Sequence, residues 1–403
     1  MTQTPQATRQ GAQETEVTQV TPEELRAHLE AKRDEIEALI VELVSAESPS
    51  DRPEVQGAVR DILKREWQAN GYRVQQWRGG RWGGGLLVRP PMRRRDHPIQ
   101  LLVGHFDTVW PLGTLERMPV CRDGDHLHGP GVFDMKAGLA MMIFAVRALQ
   151  ELGGELPADV VAFINADEEV GSPESRSRLT PLARTASRAW VLEPSYGSRG
   201  ALKTARKGVA DFELHITGRA SHAGLAPDEG ASAVAELAHI IQKLHGLADP
   251  ARGISVNVGV VQGGTRANVV AAAARAVVDV RVLTQRDGHE VETAIRSIAA
   301  APETPGVSVQ VTGGFQHQPF EASPRNQKLW EVAQAAGAEL GLDLAQVTVG
   351  GASDGNLTSL HTPTLDGLGA VGDGAHADHE HICVSQLPGR TALLAMLLQH
   401  PLE

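Results

Sequence analysis

Five short runs in this 403-residue sequence carry side chains that could do chemistry together. The first, Gly104-His105-Phe106-Asp107-Thr108, follows the apolar run Ile99 to Val103. His105 and Asp107 are two apart, so in an extended segment they share a side, and the carboxylate can accept the imidazole's second N–H. A histidine satisfied within its own loop would read the same way. The second run is Gly129-Pro130-Gly131-Val132-Phe133-Asp134-Met135-Lys136-Ala137-Gly138, where Asp134 stands at the mouth of an expected helix and could equally cap it. The third, Asn165-Ala166-Asp167-Glu168-Glu169-Val170-Gly171-Ser172, places three acids just past the apolar run Val160 to Ile164. The fourth is Leu192-Glu193-Pro194, another acid ending an apolar run. The fifth spans Gly372 to His381 and holds His376, His379 and His381, of which one within the glycine-rich turn is the better ligand candidate.

Two histidines, a central aspartate and two glutamates suffice for two metal ions. If Asp134 bridges, each ion receives one histidine, one further carboxylate and the shared aspartate. That leaves an open position, the pattern of catalytic rather than structural zinc. Two ions about 3.5–4 Å apart would polarise a carbonyl and acidify a water together. Glu168, adjacent to a ligand but facing the other way, would be free as general base.

The elements that must position these groups alternate. Thr21-Pro22-Glu23-Glu24 has the form of a capping box, and apolar residues from Leu25 to Leu43 recur at helical spacing until Ser48-Pro49. A second helix is expected from about Pro53 to Asn70. Strand-like runs follow at Arg73 to Trp77, Leu86 to Arg89 and Ile99 to Val103, then a helix (Ala137 to Leu152), a strand (Val160 to Ile164), a short helix (Glu174 to Ala183) and a strand (Ala189 to Leu192). Buried strands alternating with helices predict an α/β sheet of parallel strands, whose carboxyl ends gather ligands. At Lys207-Gly208 the pattern changes. Val209 to Thr217 alternates like a one-faced strand, and the order becomes β-α-β-β-α-β up to Val311, as in a ferredoxin-like unit. From Phe320 the α/β pattern resumes, ending in a helix over Leu387 to Leu398. The expected architecture is α/β: a polar tail (1–20), one catalytic domain in two parts (21–206 and 317–403), and an inserted α+β lid or dimerisation domain (207–316), with no repeats.

Composition excludes several classes. With 38 Lys+Arg against 49 Asp+Glu, the net charge of −11 argues against general nucleic-acid binding. Two cysteines, Cys121 and Cys383, provide no disulfide framework. No apolar run is long enough for a membrane span, and the first 20 residues lack an apolar signal core, so a soluble cytoplasmic protein is expected.

The ordered set HFDTV, GPGVFDMKAG, DEEVGS, LEP, GRASHAG, GGTRANVV, DVRV, GGASDGN and GAHADHEHI closely resembles metallopeptidase family M20 over roughly residues 21 to 400. Within that family it is most similar to bacterial glutamate carboxypeptidases of the carboxypeptidase G type. The resemblance implies two zinc ions per subunit, with cobalt or manganese as substitutes. His105, Asp134 and Glu193 would hold one, and Asp134, Glu169 and His376 the other. Asp107 would orient His105, Glu168 would shuttle the proton, and the Asp134–Met135 peptide would be cis. His222, in Ser221-His222-Ala223-Gly224, would stabilise an oxyanion from the other subunit of a homodimer, with Asn268 adding a polar contact. Arg281 would grip the substrate's terminal carboxylate, and Gly350-Gly351 would let backbone N–H groups approach it. Read from the residues alone, His222 is a turn histidine and Arg281 a surface charge on an alternating strand. Lys203 and Arg206 match no motif. The implied reaction is cleavage of the amide bond to a C-terminal, glutamate-like amino acid in a small peptide or N-acyl substrate. An N-acyl amino acid deacylase of the acetylornithine or succinyl-diaminopimelate type, and a non-catalytic scaffold, are the alternatives.

Overall fold

Thr21 opens the first helix, α1 (Pro22–Ala31), through a reciprocal pair of bonds: its hydroxyl accepts the Glu24 N–H, and the Glu24 carboxylate accepts the Thr21 N–H. The computed structural model describes residues 19–92 and 97–402. Residues 1–18 of the expected polar tail lie outside the described residues. Val20, assigned to that tail, is instead buried, and its N–H donates to Gln399 Oε1 at 3.0 Å. The single long helix expected from Leu25 to Leu43 is broken. Lys32 leaves helical geometry (φ −97°, ψ 3°), and α2 (Arg33–Ser45) begins beyond it. Residues Pro53 to Gln56 form turns, so α3 runs from Gly57 to Ala69 rather than from Pro53.

Next come β1 (Arg73–Trp77), β2 (Gly85–Arg89), β3 (Ile99–His105) and two short strands, β4 (Cys121–Asp123) and β5 (His126–His128). They are followed by α4 (Ala137–Glu151), β6 (Asp159–Asn165), α5 (Arg176–Thr185), β7 (Arg188–Val191) and β8 (Leu202–Arg206). The inserted unit is β9 (Gly208–Thr217), α6 (Ala233–His245), β10 (Ser255–Gly263), β11 (Ala273–Val282), α7 (Gln285–Ala300) and β12 (Ser308–His317). The chain closes with α8 (Pro324–Glu339), β13 (Gln346–Val349), α9 (Asp354–Ser359), β14 (Thr364–Leu365), β15 (Gly372–Asp373), β16 (His381–Cys383) and α10 (Leu387–Gln399).

The main sheet has the order β1-β2-β6-β3-β7-β14. The last four strands are parallel, but β1 and β2 form an antiparallel hairpin and β2 runs against β6. The sheet is therefore mixed, not parallel throughout. Every residue of β3 and of β7 is buried, as helices on both faces require. Helix α4 lies close against the end of β7, because a Cβ at Gly138 would fall 2.2 Å from the Leu192 carbonyl oxygen. That approach is open only to glycine and brings the start of α4 beside Glu193.

The insert folds around its own core. Its sheet, ordered β10-β11-β9-β12, is antiparallel throughout. Alternation along β9 and β11 buries Phe212, Leu214, Ile216, Ala276, Val278 and Val280 in a cluster separate from the main one. Departure and return occur at one point: Arg206 and Phe320 exchange two backbone hydrogen bonds of 2.9 and 3.0 Å. Among the described residues no helix is long and apolar enough to cross a membrane.

Candidate metal centre

Three neighbouring parallel strands deliver the acids and the first histidine from their carboxyl ends. β3 ends in His105, β6 leads into Asp167-Glu168-Glu169, and β7 leads into Leu192-Glu193. The crevice beyond such strand ends is where an open α/β sheet collects ligands. Asp134 comes from the turn before α4 and His376 from the loop between β15 and β16. Asp134 caps nothing; α4 is preceded by Lys136, with no side-chain cap bond. The Asp134–Met135 peptide is cis.

These side chains converge in two groups around one residue. His105 Nε2 lies 3.3 Å from Asp134 Oδ1 and 3.3 Å from Glu193 Oε1. On the other side, His376 Nε2 lies 3.5 Å from Asp134 Oδ2 and 3.1 Å from Glu169 Oε2. Asp134 thus turns one oxygen to each group, and both groups have the spacing to hold a metal ion. Glu168 belongs to neither; its Oε2 stands 3.8 Å from His105 Nε2.

Whether the set fits metal can be judged from its unmet demands. His105 Nε2, Asp134 Oδ1 and Glu169 Oε1 are buried with no hydrogen-bond partner. A buried polar atom without a partner costs on the order of 1–3 kcal/mol, and three such atoms on residues of the two groups call for ligands there. The protonation balance points the same way. Burial and the Asp134 charge push Glu169 up to about 7, and burial with the Glu193 charge pushes Glu168 well up. Burial would also raise Asp134, but the imidazoles of His105 and His376 outweigh it and hold it low. His376, between Asp134 and Glu169, is raised to about 10. So many carboxylates at such range repel one another unless cations intervene. The donors are imidazole nitrogens and carboxylate oxygens, which suits borderline divalent ions such as zinc, cobalt or manganese.

Supporting residues fix this geometry. His105 Nδ1 is 3.0 Å from the Asp107 carbonyl oxygen and 3.4 Å from its carboxylate, leaving Nε2 as the free donor. The Asp107 carboxylate also accepts the Ser50 hydroxyl and the backbone N–H groups of Glu168 and Glu169, so it clamps their turn. Sequence reasoning missed Glu380. Its buried carboxylate accepts Trp110 Nε1–H and the backbone N–H groups of Gly131, Phe133 and Asp134 at 2.7–3.0 Å. It therefore joins the loop of Asp134 to the loop of His376. The only hint was an acid amid histidines in Asp378-His379-Glu380-His381. Arg206, also unassigned from sequence, is buried and bonds Asp366 Oδ2 (2.7 Å), Glu193 Oε2 (3.3 Å) and the Gly351 and Ala352 carbonyls. It holds Glu193 from behind.

An open cavity of about 910 Å³ lies over the two groups, walled by Tyr196, Lys203, Arg206, Gly351, His126 and His381 among others. The space beside the Cα atoms of Gly350 and Gly351 is empty of protein. The insert's expected contributors are not brought in. His222 and Asn268 sit together, through a bond from the Ala223 N–H to the Asn268 carbonyl, but both are exposed and neither lines the cavity. Arg281 is also off its wall and is paired with Asp279 at 2.8 Å. At the junction between insert and catalytic unit, burial and the positive charges of Arg176, Arg206 and Arg281 lower His317 to about 4.

Fold and site together define a two-domain α/β hydrolase with a candidate pair of metal sites. Residues 101–400 match the family described as Peptidase family M20/M25/M40, and the chain belongs to that family. It is accordingly a hydrolase of peptide or acyl amide bonds. Carboxypeptidase G2 of Pseudomonas sp. (strain RS-16) is 28% identical over 362 residues, covering 88% of this chain and 86% of its own. Succinyl-diaminopimelate desuccinylase of Thioalkalivibrio sulfidiphilus (strain HL-EbGR7) is 26% identical over 327 residues, 76% of this chain and 85% of its own. Among solved structures, aminopeptidase PepT from Bacillus cereus ATCC 10987 superposes with a TM-score of 0.77 at 22% identity, covering 91% of this chain and 98% of that one. That last likeness is one of fold.

Proposed function

We propose that the chain is a di-zinc hydrolase that releases a C-terminal, glutamate-like amino acid from a peptidyl or N-acyl partner. The observation that carries this reading is the placement of Asp134 between two ligand groups, with Glu168 beside them and in neither. His105, Asp134 and Glu193 would hold one ion, and Asp134, Glu169 and His376 the other. When bound, the ions supply Lewis acidity toward the scissile carbonyl and the attacking water. Glu168 takes the water's proton as its oxygen adds to the carbonyl carbon, then delivers it to the amine nitrogen as the C–N bond breaks. Burial and its acidic neighbours raise Glu168, the direction that suits a proton carrier.

A substrate carboxylate would find Arg176, Arg206 and Arg281 near His317, where insert and catalytic unit meet. There Arg281 would exchange Asp279 for the substrate's carboxylate in a two-pronged grip, with the Gly351 loop alongside. His222 and Asn268 would act on the reacting carbonyl only across a homodimer, since they stand exposed and apart from the cavity of their own chain. Support for such an assembly lies in β10, an edge strand whose Val260 and Val261 are 43% and 53% exposed.

The test uses metal-loaded protein against C-terminal glutamate peptides, N-acyl glutamates, N-acetylornithine and N-succinyl-diaminopimelate. Preference for the first two supports the carboxypeptidase reading. Preference for either of the last two moves the assignment to a deacylase, the activity in the desuccinylase relative's name. Glu168→Ala should keep both ions and lose about 10²–10⁴-fold in kcat. Undiminished hydrolysis by that variant would refute the assigned base.

A further inference from the structure

Beside the metal centre, a small antiparallel sheet of order β15-β16-β5-β4 presents an unusual face. In its register His128 lies opposite both His381 and Cys121, and His126 lies opposite Cys383. Leu127 and Ile382, on the other face, are buried, so the alternation turns these histidines and thiols the opposite way, where His126 and Cys121 are exposed. The rings crowd together: centroids are 4.3 Å apart for His126 and His381, 5.3 Å for His128 and His381, and 6.0 Å for His126 and His128.

We propose that His126, His128 and His381, with Cys383 at their edge, form a further metal site for a borderline divalent ion such as zinc, nickel or copper(II). Two histidines spaced i, i+2 on one strand, with a third directly opposite on its neighbour, place three imidazoles on one patch of sheet, a donor number that zinc accepts with one position left over. The orientation of His381 supports this. Its Nδ1 is 2.9 Å from the His379 carbonyl oxygen, which leaves Nε2 as the donor, and His105 is held in the same way by the Asp107 carbonyl. His126 and His128 are tilted 34° and 38° against His381 and stand edge-on to each other at 71°, so binding requires half-exposed and exposed side chains to rotate. This makes the site weaker than the buried groups around Asp134.

Its position gives it a consequence. His126, His381 and Cys383 border the same cavity as Asp134, Glu169 and His376. An ion there narrows the path to the reacting groups, so metal in excess of the two-ion complement should inhibit.

The experiment starts from full-length protein carrying two equivalents of zinc and adds Zn²⁺ alone under equilibrium dialysis with metal analysis. The wild type should take up a third, weaker equivalent and lose activity over the same concentration range. His126→Ala/His381→Ala should keep the two tight equivalents, which also reports its fold, while affinity for the third and sensitivity to excess zinc both fall at least tenfold. With Co²⁺ in place of zinc, Cys383→Ser should remove a thiolate charge-transfer band and retain the ion. A wild type that stops at two equivalents overturns the proposal, as does a double variant that binds the third unchanged. Failure of the two tight sites themselves would instead count against the di-zinc reading. His126→Gln serves as a milder replacement if the double variant is unstable.

Discussion

The main sheet and the inserted sheet solve different problems with similar strands. In the main sheet, β3 and β7 are buried along their whole length, and their ends carry His105 and Glu193, which are 1% and 6% exposed. In the insert, β9 and β11 alternate between core and surface, and the residues expected to meet substrate, His222 and Asn268, stand in the open. Rigid, doubly covered strands hold charged groups at fixed separations despite their repulsion. A one-faced sheet offers a broad surface that can be presented to another molecule. Charge-dense chemistry belongs to the first kind of scaffold and recognition to the second.

This contrast can be broken most forcefully at Asp134. Asp134→Asn removes the one side chain shared by both ligand groups, and hydrolysis should fall about 10³-fold or more, with metal content dropping below the wild-type level. Full metal content with near-normal rate would mean that Asp134 does not bridge. On the insert, Val261→Asp puts a charge on the exposed edge of β10. If a second copy completes the site, light scattering should report a monomer, and kcat should fall about 10²–10³-fold, the size of one lost oxyanion contact. An active monomer would end the role given to His222.

A smaller effect is expected behind the ligands. Glu380→Gln keeps one acceptor oxygen of two, so two of the four N–H groups from Trp110 and the Asp134 loop lose their partner, and metal affinity should weaken about 10–100-fold with little change in thermal midpoint. The smallest lies at the junction. His317 titrates near 4 in the folded chain against about 6.5 when unfolded. Its folded value is depressed, so the unfolded state binds the extra proton between those limits, and stability is lost as pH falls through that window. His317→Gln should flatten that part of the stability curve by on the order of 1–3 kcal/mol, discounted because the ring is only partly buried. An unchanged acid limb in denaturant melts would show that burial and the arginines do not depress His317.

Much of this was readable because the relevant signals are local. The apolar runs Ile99 to Val103 and Val160 to Ile164 announced buried strands, and acids placed just past them fell at strand ends. Other features leave no local trace. Leu29 and Ile36 keep the same helical phase across Lys32, so periodicity runs straight through a real break. Apolar content does not encode strand direction, so the expectation of a sheet of parallel strands passes over the antiparallel β1–β2 hairpin. Glu380 draws no notice among its neighbouring histidines because its partners are backbone N–H groups some 250 positions earlier. The bonds of Arg206 likewise reach back to Glu193 and forward to Asp366.

The clasp between Arg206 and Phe320 has a consequence for design. Because the insert leaves and rejoins at adjacent residues, the catalytic unit experiences it as one long loop whose two ends are already pinned. Loop closure costs little for added length, about 0.6 kcal/mol for each doubling, so the clasp tolerates a longer, shorter or differently shaped excursion. The insert can thus be treated as an exchangeable cassette: a donor unit grafted between these two residues could change what is recognised while the ligands at the strand ends keep their places.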